Sequence, residues 1–394
     1  MAAVLGLSLL ALIVCLIFDY HAVLLVDGRM SMSISLSEEE DLQLEAQLKS
    51  LNKLPTKTVH ADWGDIYDCI EFHKQPAFDH PSIKKHEILI SNESLPSKSK
   101  TTTLFRGIDG CPEGTVPIRR TTKEDLIRAR TLSSPLSSWD AHGDIQYRAG
   151  YTLAVPGQQF YGGSGTVNIW NPQVEADQFS SAEIALKGGP NEQVNGIKFG
   201  WMVNPQLYGD YLTRGFAYWT GDGSHKTGCY NTLCAGYVQV HERYTPDILF
   251  TQTSIIGLTQ VDIKVEISLE RDTGKWWLIL QDNIRMGYWP TKLFPLFQPG
   301  VDYIYWGGRV KSGKDGAVPP MCSGRRPQPS TKITGYFLEL QYKDKNGNVL
   351  KPQNQDMEVT NDCIQTYSAK YYAKHNQIKF GGAPYDGVTS RCYS

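Results

Sequence analysis

Charge is scarce in this chain of 394 residues and nearly balanced, with 39 Lys and Arg against 41 Asp and Glu and a formal net charge of −2. That balance excludes the broad basic footprint that holds nucleic acid, and no run of like charge marks an acidic or basic tail. No segment recurs at a fixed period, which argues against a solenoid. Metal-binding patterns are missing too: there is no CxxC pair, no HExxH and no His doublet near a cysteine. Neither a metal nor another cofactor is therefore expected. The GxSxG elbow is absent. A dispersed serine or cysteine triad stays open, since its members need not be neighbours in sequence. Helical periodicity is sparse beyond residue 150, while Gly (36) and Tyr (21) are plentiful, the balance of a turn-rich β protein.

Long apolar runs are also lacking, except at the start. Met1 to about Phe18 is almost wholly apolar, and Asp19, Tyr20 and His21 interrupt it short of a spanning helix. No Lys or Arg precedes the run, but Ala22 and Gly28 offer cleavage points, so residues 1–28 read as a signal peptide. A membrane anchor is the competing reading. Secretion, with no membrane span left after cleavage, is the expectation. The eight cysteines suit an oxidising compartment. Cys15 falls in the apolar run. Cys229 and Cys234 enclose only four residues, a spacing for a local staple, and Cys363 and Cys392 are natural partners in the C-terminal tail. Cys69 with Cys111 would brace the front of the chain, which leaves Cys322 free or intermolecular.

In SLSEEEDLQLEAQLKSLNK, residues 35–53, a Ser precedes an acidic first turn and Leu42, Leu44, Leu48 and Leu51 follow. The pattern predicts an N-capped amphipathic helix packed against another element. Asn92-Glu93-Ser94 is an N-glycosylation sequon and marks a surface loop. The Ser-rich stretch TLSSPLSSWDAHGD, residues 131–144, holds the expected boundary between a front domain (29–131) and a larger one (145–394). In the larger part Val261, Ile263, Val265, Ile267 and Leu269 alternate strictly with Asp262, Lys264, Glu266, Ser268 and Glu270. That is one strand with a buried and a wet face. A turn at 271–275 returns the chain as a second arm to Leu280, and Asn346-Gly347 marks another hairpin. Short strands with Gly and Asn turns predict an antiparallel sandwich or barrel.

The densest mixture of aromatic residues, glycines and cysteines runs from Gly196 to Cys234. Its blocks GWMVNPQLYGD, FAYWTGDG and TGCYNTLCAGYVQ, with GYWPTKLF at 287–294, resemble signature blocks of the neprosin family of plant proteins. GDIYDCIEFHKQPAFDHP (64–81) and CPEGTVPIRRTTKEDLIRA (111–129) resemble that family's N-terminal activation domain. The resemblance covers about Gly64 to the C-terminus. It implies a β-sandwich with a cleft on one sheet face, preceded by a small disulfide-braced propeptide. It also implies the two C-terminal pairings, Cys229–Cys234 and Cys363–Cys392. The family's type member is a secreted glutamic peptidase that cleaves after proline, so an extracellular or cell-wall location is expected.

A glutamic peptidase needs one ionised Glu to take a proton from water and a second acid to polarise the carbonyl or protonate the leaving amine. In the family pattern one Glu precedes Gly-Trp and the other ends Trp-Gly-Gly-Glu. Here those positions are Lys198 and Arg309. Arg stays protonated and Lys offers no acceptor while charged, so neither replaces the carboxylate. Ile197, Phe199, Trp201 and Val203 share one apolar face, so Lys198 points the other way, sparing an ammonium the cost of the buried face. Two neighbouring cations would favour an anion between them, such as a peptide C-terminus, an acidic sugar or phosphate; a drifted, empty site is the plainer reading. Glu183, Glu192, Glu242 and Glu266 are expected on solvated faces, Asp210 and Asp222 in turns, and His225 and His241 are lone histidines. Tyr208, Tyr218, Trp219, Tyr230, Tyr288, Trp289, Tyr305 and Trp306 lie in or beside the family blocks. Their rings suit stacking on proline or sugar, or else fill the sandwich core. The expected protein is a secreted, degenerate relative whose cleft binds peptide or cell-wall polymer. An active peptidase with another acid pair and a structural extracellular protein are the alternatives.

Overall fold

The computed structural model describes residues 37–83, 104–132, 145–190, 193–383 and 392. The expected signal peptide with Cys15, the Asn92 sequon and most of the Ser-rich linker lie outside the described residues.

Alternation of apolar side chains along the strands builds two antiparallel sheets face to face. The first runs, edge to edge, Met357–Asn361, Gln146–Leu153, Tyr303–Lys311, Phe179–Gly188, Asn195–Val203, Arg214–Thr220, Leu249–Phe250 and Phe105–Arg106. The second runs Val238–Gln239, Ile284–Pro290, Lys275–Leu280, Asp262–Glu270, Gly162–Asn168, Gly335–Lys343, Gln377–Gly382 and Tyr367–Tyr372. Phe199, Trp201, Trp219 and Trp306 of the first sheet meet Ile263, Val265, Ile267, Trp276 and Trp289 of the second in one buried core. Burying each such side chain contributes about 1.5–3 kcal/mol, so this core dominates the stability of the sandwich. The hairpin read from sequence at 261–280 is present in the second sheet, with Ile267 opposite Leu278. A second hairpin pairs Gly335–Lys343 with Val349–Leu350 around Gly347, whose positive φ of 82° suits glycine.

The front region forms a three-stranded sheet of Lys57–His60, Ile66–Glu71 and Thr115–Arg119. The expected helix spans Glu38–Leu51, capped by Ser37, whose hydroxyl accepts from the Glu40 N–H while the Glu40 carboxylate reaches back. It packs Leu44 and Leu51 against Leu126 of the helix Lys123–Leu132. Leu42 stands 71% exposed, because a residue two positions from Leu44 falls on the opposite helix face.

The front region is not set apart from the sandwich. Phe105–Arg106 is an edge strand of the first sheet, opposite Leu249–Phe250. Gln75 brackets Gln239, accepting from its backbone N–H (2.8 Å) and donating to its carbonyl (3.1 Å). A buried ion network completes the join. Asp65 meets Arg214 of the sandwich at 2.6 Å and Arg119 of its own region at 3.1 Å, and Arg119 reaches Asp247 of the sandwich at 3.8 Å. Disulfides join Cys69 to Cys111, Cys229 to Cys234 and Cys363 to Cys392. Cys322 is buried outside any disulfide. Among the described residues no helix is long and apolar enough to cross a membrane.

Candidate active site and its electrostatics

Three adjacent strands of the first sheet carry the residues singled out by sequence. Glu183 lies directly opposite Gly307 on one side and Gly200 on the other. Two residues along from those glycines stand Arg309 and Lys198, so both side chains share the face of Glu183. The register brings the three together: Arg309 Nε donates to Glu183 Oε1 at 3.0 Å, and Lys198 Nζ lies 3.6 Å from Oε2. The flanking glycines have no room for a side chain. A Cβ on Gly200 would stand 2.8 Å from the Glu183 Cα, and one on Gly307 would stand 2.4 Å from the Tyr305 hydroxyl.

Alternation does turn Lys198 away from the inter-sheet core, but it does not keep the ammonium wet. Lys198, Arg309 and Glu183 are all buried, because this sheet face is covered as well. Glu183 is therefore not on a solvated face, and the anion between the two cations is the protein's own. Paired burial avoids the larger cost of isolated charges in a low-dielectric interior. Burial alone would raise the Glu183 carboxyl, yet Lys198, Arg309 and Arg148 hold it below its ordinary value. Burial drives the Lys198 ammonium down to about 8, with Arg309 and Arg148 adding to the shift and Glu183 opposing it. Arg309 also donates to Gln146 Oε1 at 3.2 Å. A carboxylate so stabilised is a poor base, and the charged groups acting on it against burial are cations, not a second acid.

The eight aromatic residues divide. Tyr218 is directly opposite Lys198, whose ammonium stands 5.3 Å from its ring centre. Tyr208 and Tyr230 pack with Tyr218 in one buried cluster. Tyr305 is on the same face, opposite Ala185. Trp219, Trp289 and Trp306 instead fill the core between the sheets. Tyr288 lies on the outer face of the second sheet, with Trp277 and Ala77 of the front region. These four are corrections to the cleft expected from sequence, and strand parity explains them: Tyr218-Trp219, Tyr288-Trp289 and Tyr305-Trp306 are consecutive pairs, so each pair splits between two faces.

Of the lone histidines, His241 is buried and stacked on Tyr244, its Nδ1 accepting from the backbone N–H groups of Arg243 and Tyr244. His225 is exposed. Asp222 closes its turn by accepting from the Lys226 and Thr227 N–H groups, whereas Asp210 also pairs with Arg214 at 2.7 Å. Among the described residues no group of three or more His, Cys, Asp or Glu side chains is placed to hold a metal.

The chain is thus an antiparallel two-sheet β-sandwich with cross-strand ionisable groups on one outer sheet face. The neprosin family model matches residues 176–383 and the neprosin activation peptide model matches residues 58–144. The chain belongs to the neprosin family and carries that family's activation peptide. Among solved structures it is similar to a scytalido-glutamic peptidase bound to a transition state analog inhibitor. There the identity is 12%, the match covers 61% of this chain and 100% of the other, and the TM-score is 0.37. A Ruminococcus gnavus IT-sialidase CBM40 bound to alpha2,6 sialyllactose is similar at 9% identity over 43% of this chain and 88% of the other, with a TM-score of 0.21. Neither likeness is close enough to carry chemistry across.

Proposed function

We propose that this chain is a secreted, non-hydrolytic member of the neprosin family, whose site face binds extended proline-bearing peptide or a cell-wall polymer without cutting it. The observation that carries this reading is the engagement of Glu183 by both Lys198 and Arg309. Hydrolysis by a carboxylate pair requires one basic carboxylate and one protonated acid near each other. This site offers one carboxylate, already neutralised, at the centre of a cation-rich cluster. Tyr208, Tyr218, Tyr230 and Tyr305 remain on that face and suit proline or sugar rings. They are buried, so binding to them requires that the side chains covering them be displaced. Three disulfides support an oxidising, extracellular setting.

The test is cleavage of a proline-containing peptide at acid pH by the purified protein, beside the variant K198E/R309E/E183Q. The wild type is expected to leave the peptide intact, and the variant to regain cleavage through the two carboxylates restored. Cleavage by the wild type would overturn the reading.

A further inference from the structure

The loop between the strands Leu249–Phe250 and Asp262–Glu270 ends in an apolar tip. Ile255, Ile256 and Leu258 are 54%, 46% and 64% exposed. Single exposed apolar residues are ordinary, but three within four positions form a patch of the kind that marks an interaction surface. The backbone beneath them is fixed. Ile255 N–H donates to Thr259 O at 2.9 Å and Leu258 N–H to Ile255 O at 3.0 Å. The Gln260 side-chain amide donates to the carbonyls of Ile255 and Thr259, each at 3.0 Å. Gly257 turns the tip at a φ of +76°, a conformation glycine adopts without penalty. The three side chains are thus held outward on a closed turn.

That tip rests on a cationic loop. Gly257 N–H donates to Lys332 O at 2.8 Å, and the Gln260 amide reaches the same carbonyl at 3.2 Å. The segment 322–334 exposes Arg325, Arg326 and Lys332 and contains no Asp or Glu, and 251–261 has no charged residue. Beneath the loop Lys379, itself buried, donates to the carbonyls of Gln328 (2.9 Å) and Pro329, placing a fourth positive charge under the same surface. Arg326 donates to the Ile364 carbonyl at 3.0 Å, and the Ile364 side chain is another apolar group, 69% exposed.

We infer that this end of the sandwich docks on an anionic lipid surface, with the apolar tip entering the headgroup and acyl boundary and the cations lying at the level of the phosphates. The pairing of the two features selects the partner. Interfacial binding scales with apolar area inserted plus attraction of Lys and Arg to anionic headgroups. An acidic polysaccharide would engage the cations alone and leave Ile255, Ile256 and Leu258 in water. The long stems of exposed Arg325 and Lys332 let their charges extend to the level of the phosphates.

The experiment is co-sedimentation of the purified full chain with vesicles of equimolar phosphatidylcholine and phosphatidylserine, beside vesicles of phosphatidylcholine alone. Sedimentation is expected with the anionic vesicles and not with the neutral ones. I255S/I256S/L258S should abolish it, and R325Q/R326Q/K332Q should weaken it about a hundredfold, from roughly a fivefold loss per cation. All six positions are exposed, so unchanged thermal melts check that both variants fold. Absence of sedimentation by the wild type would overturn the inference. So would full binding by the serine variant, in particular if dissolved polygalacturonate competed for it, since the cations alone would then be the site.

Discussion

Glu183 and Asp65 each lie buried between two cations, to different effect. Glu183 stands between Lys198 and Arg309 within one sheet. Asp65 stands between Arg119 and Arg214 and ties the activation peptide to the sandwich. Their surroundings have opposite excess. Around Asp65 the arginines have further acids, Asp210 at 2.7 Å from Arg214 and Asp125 at 3.3 Å from Arg119, with Asp247 beyond. Around Glu183 the additional influence is another cation, Arg148. Burial pulls down the Lys198 ammonium, Arg309 and Arg148 adding to it and Glu183 opposing, and in the acid-rich network burial raises the Asp247 carboxyl, Asp65 adding to it and Arg119 opposing. A carboxylate between two cations thus acts as a plug where cations dominate and as a clasp where acids are in reserve.

The sharpest way to break that contrast is Glu183→Gln. It removes the charge that both buried cations share, and losing one partner of a buried ion group costs about 3–5 kcal/mol. Urea unfolding near neutral pH reads this directly; a loss below about 1 kcal/mol would mean that Glu183 is not what makes the cations tolerable.

The next effect is a pH dependence owed to Lys198. Its folded value is about 8 against an ordinary 10.5. Between those values the unfolded chain holds a proton that the folded protein has released, so stability rises with pH across that window, by ~3 kcal/mol in all. Below about 8 both states hold the proton and this group adds no slope. Buried tyrosines such as Tyr305, raised well above their ordinary 10.0, act in the opposite sense at higher pH. The quantity to measure is therefore the stability of wild type minus that of Lys198→Met. That difference should climb from pH 8 to pH 10, and a flat difference would remove Lys198 from the account.

Local features of this fold were open to reading in the sequence, and non-local ones were not. The 261–280 hairpin and the Ser37 cap depend on residues a few positions apart, and both are present. Lys198 and Arg309 were reachable through the motifs around them, and parity turned Lys198 off the core. Glu183 was half legible. Ala182, Ile184 and Leu186 alternate toward the core, which puts Glu183 on the other face, but nothing local says which strands lie beside it. That juxtaposition needs the register of three strands, whose residues at 183, 198 and 309 are joined only by the sheet. The edge strand Phe105–Arg106 escaped for another reason: two residues show no period.

Asp65→Asn should give the smallest of the three effects, and it tests the clasp most directly. Arg214 would keep Asp210, and Arg119 would keep Asp125 and Asp247. The loss is then that of charge-assisted hydrogen bonds between groups with other partners, about 1.5–3 kcal/mol. Its pH dependence has a definite sign. Burial would raise the Asp65 carboxyl, but Arg119 and Arg214 hold it below its ordinary 3.8. Its contribution is therefore present above that value and lost as pH falls through the lower, folded one. Asp247, raised, works the other way: protonating it favours the folded state as pH falls, so the acid-rich network is buffered where the Glu183 cluster is not. The gap between wild type and Asp65→Asn in thermal melts should narrow as pH drops below about 4. If Asp65→Asn cost as much as Glu183→Gln at neutral pH, the reserve acids would not be taking up the arginines' charge, and the two clusters would be equivalent.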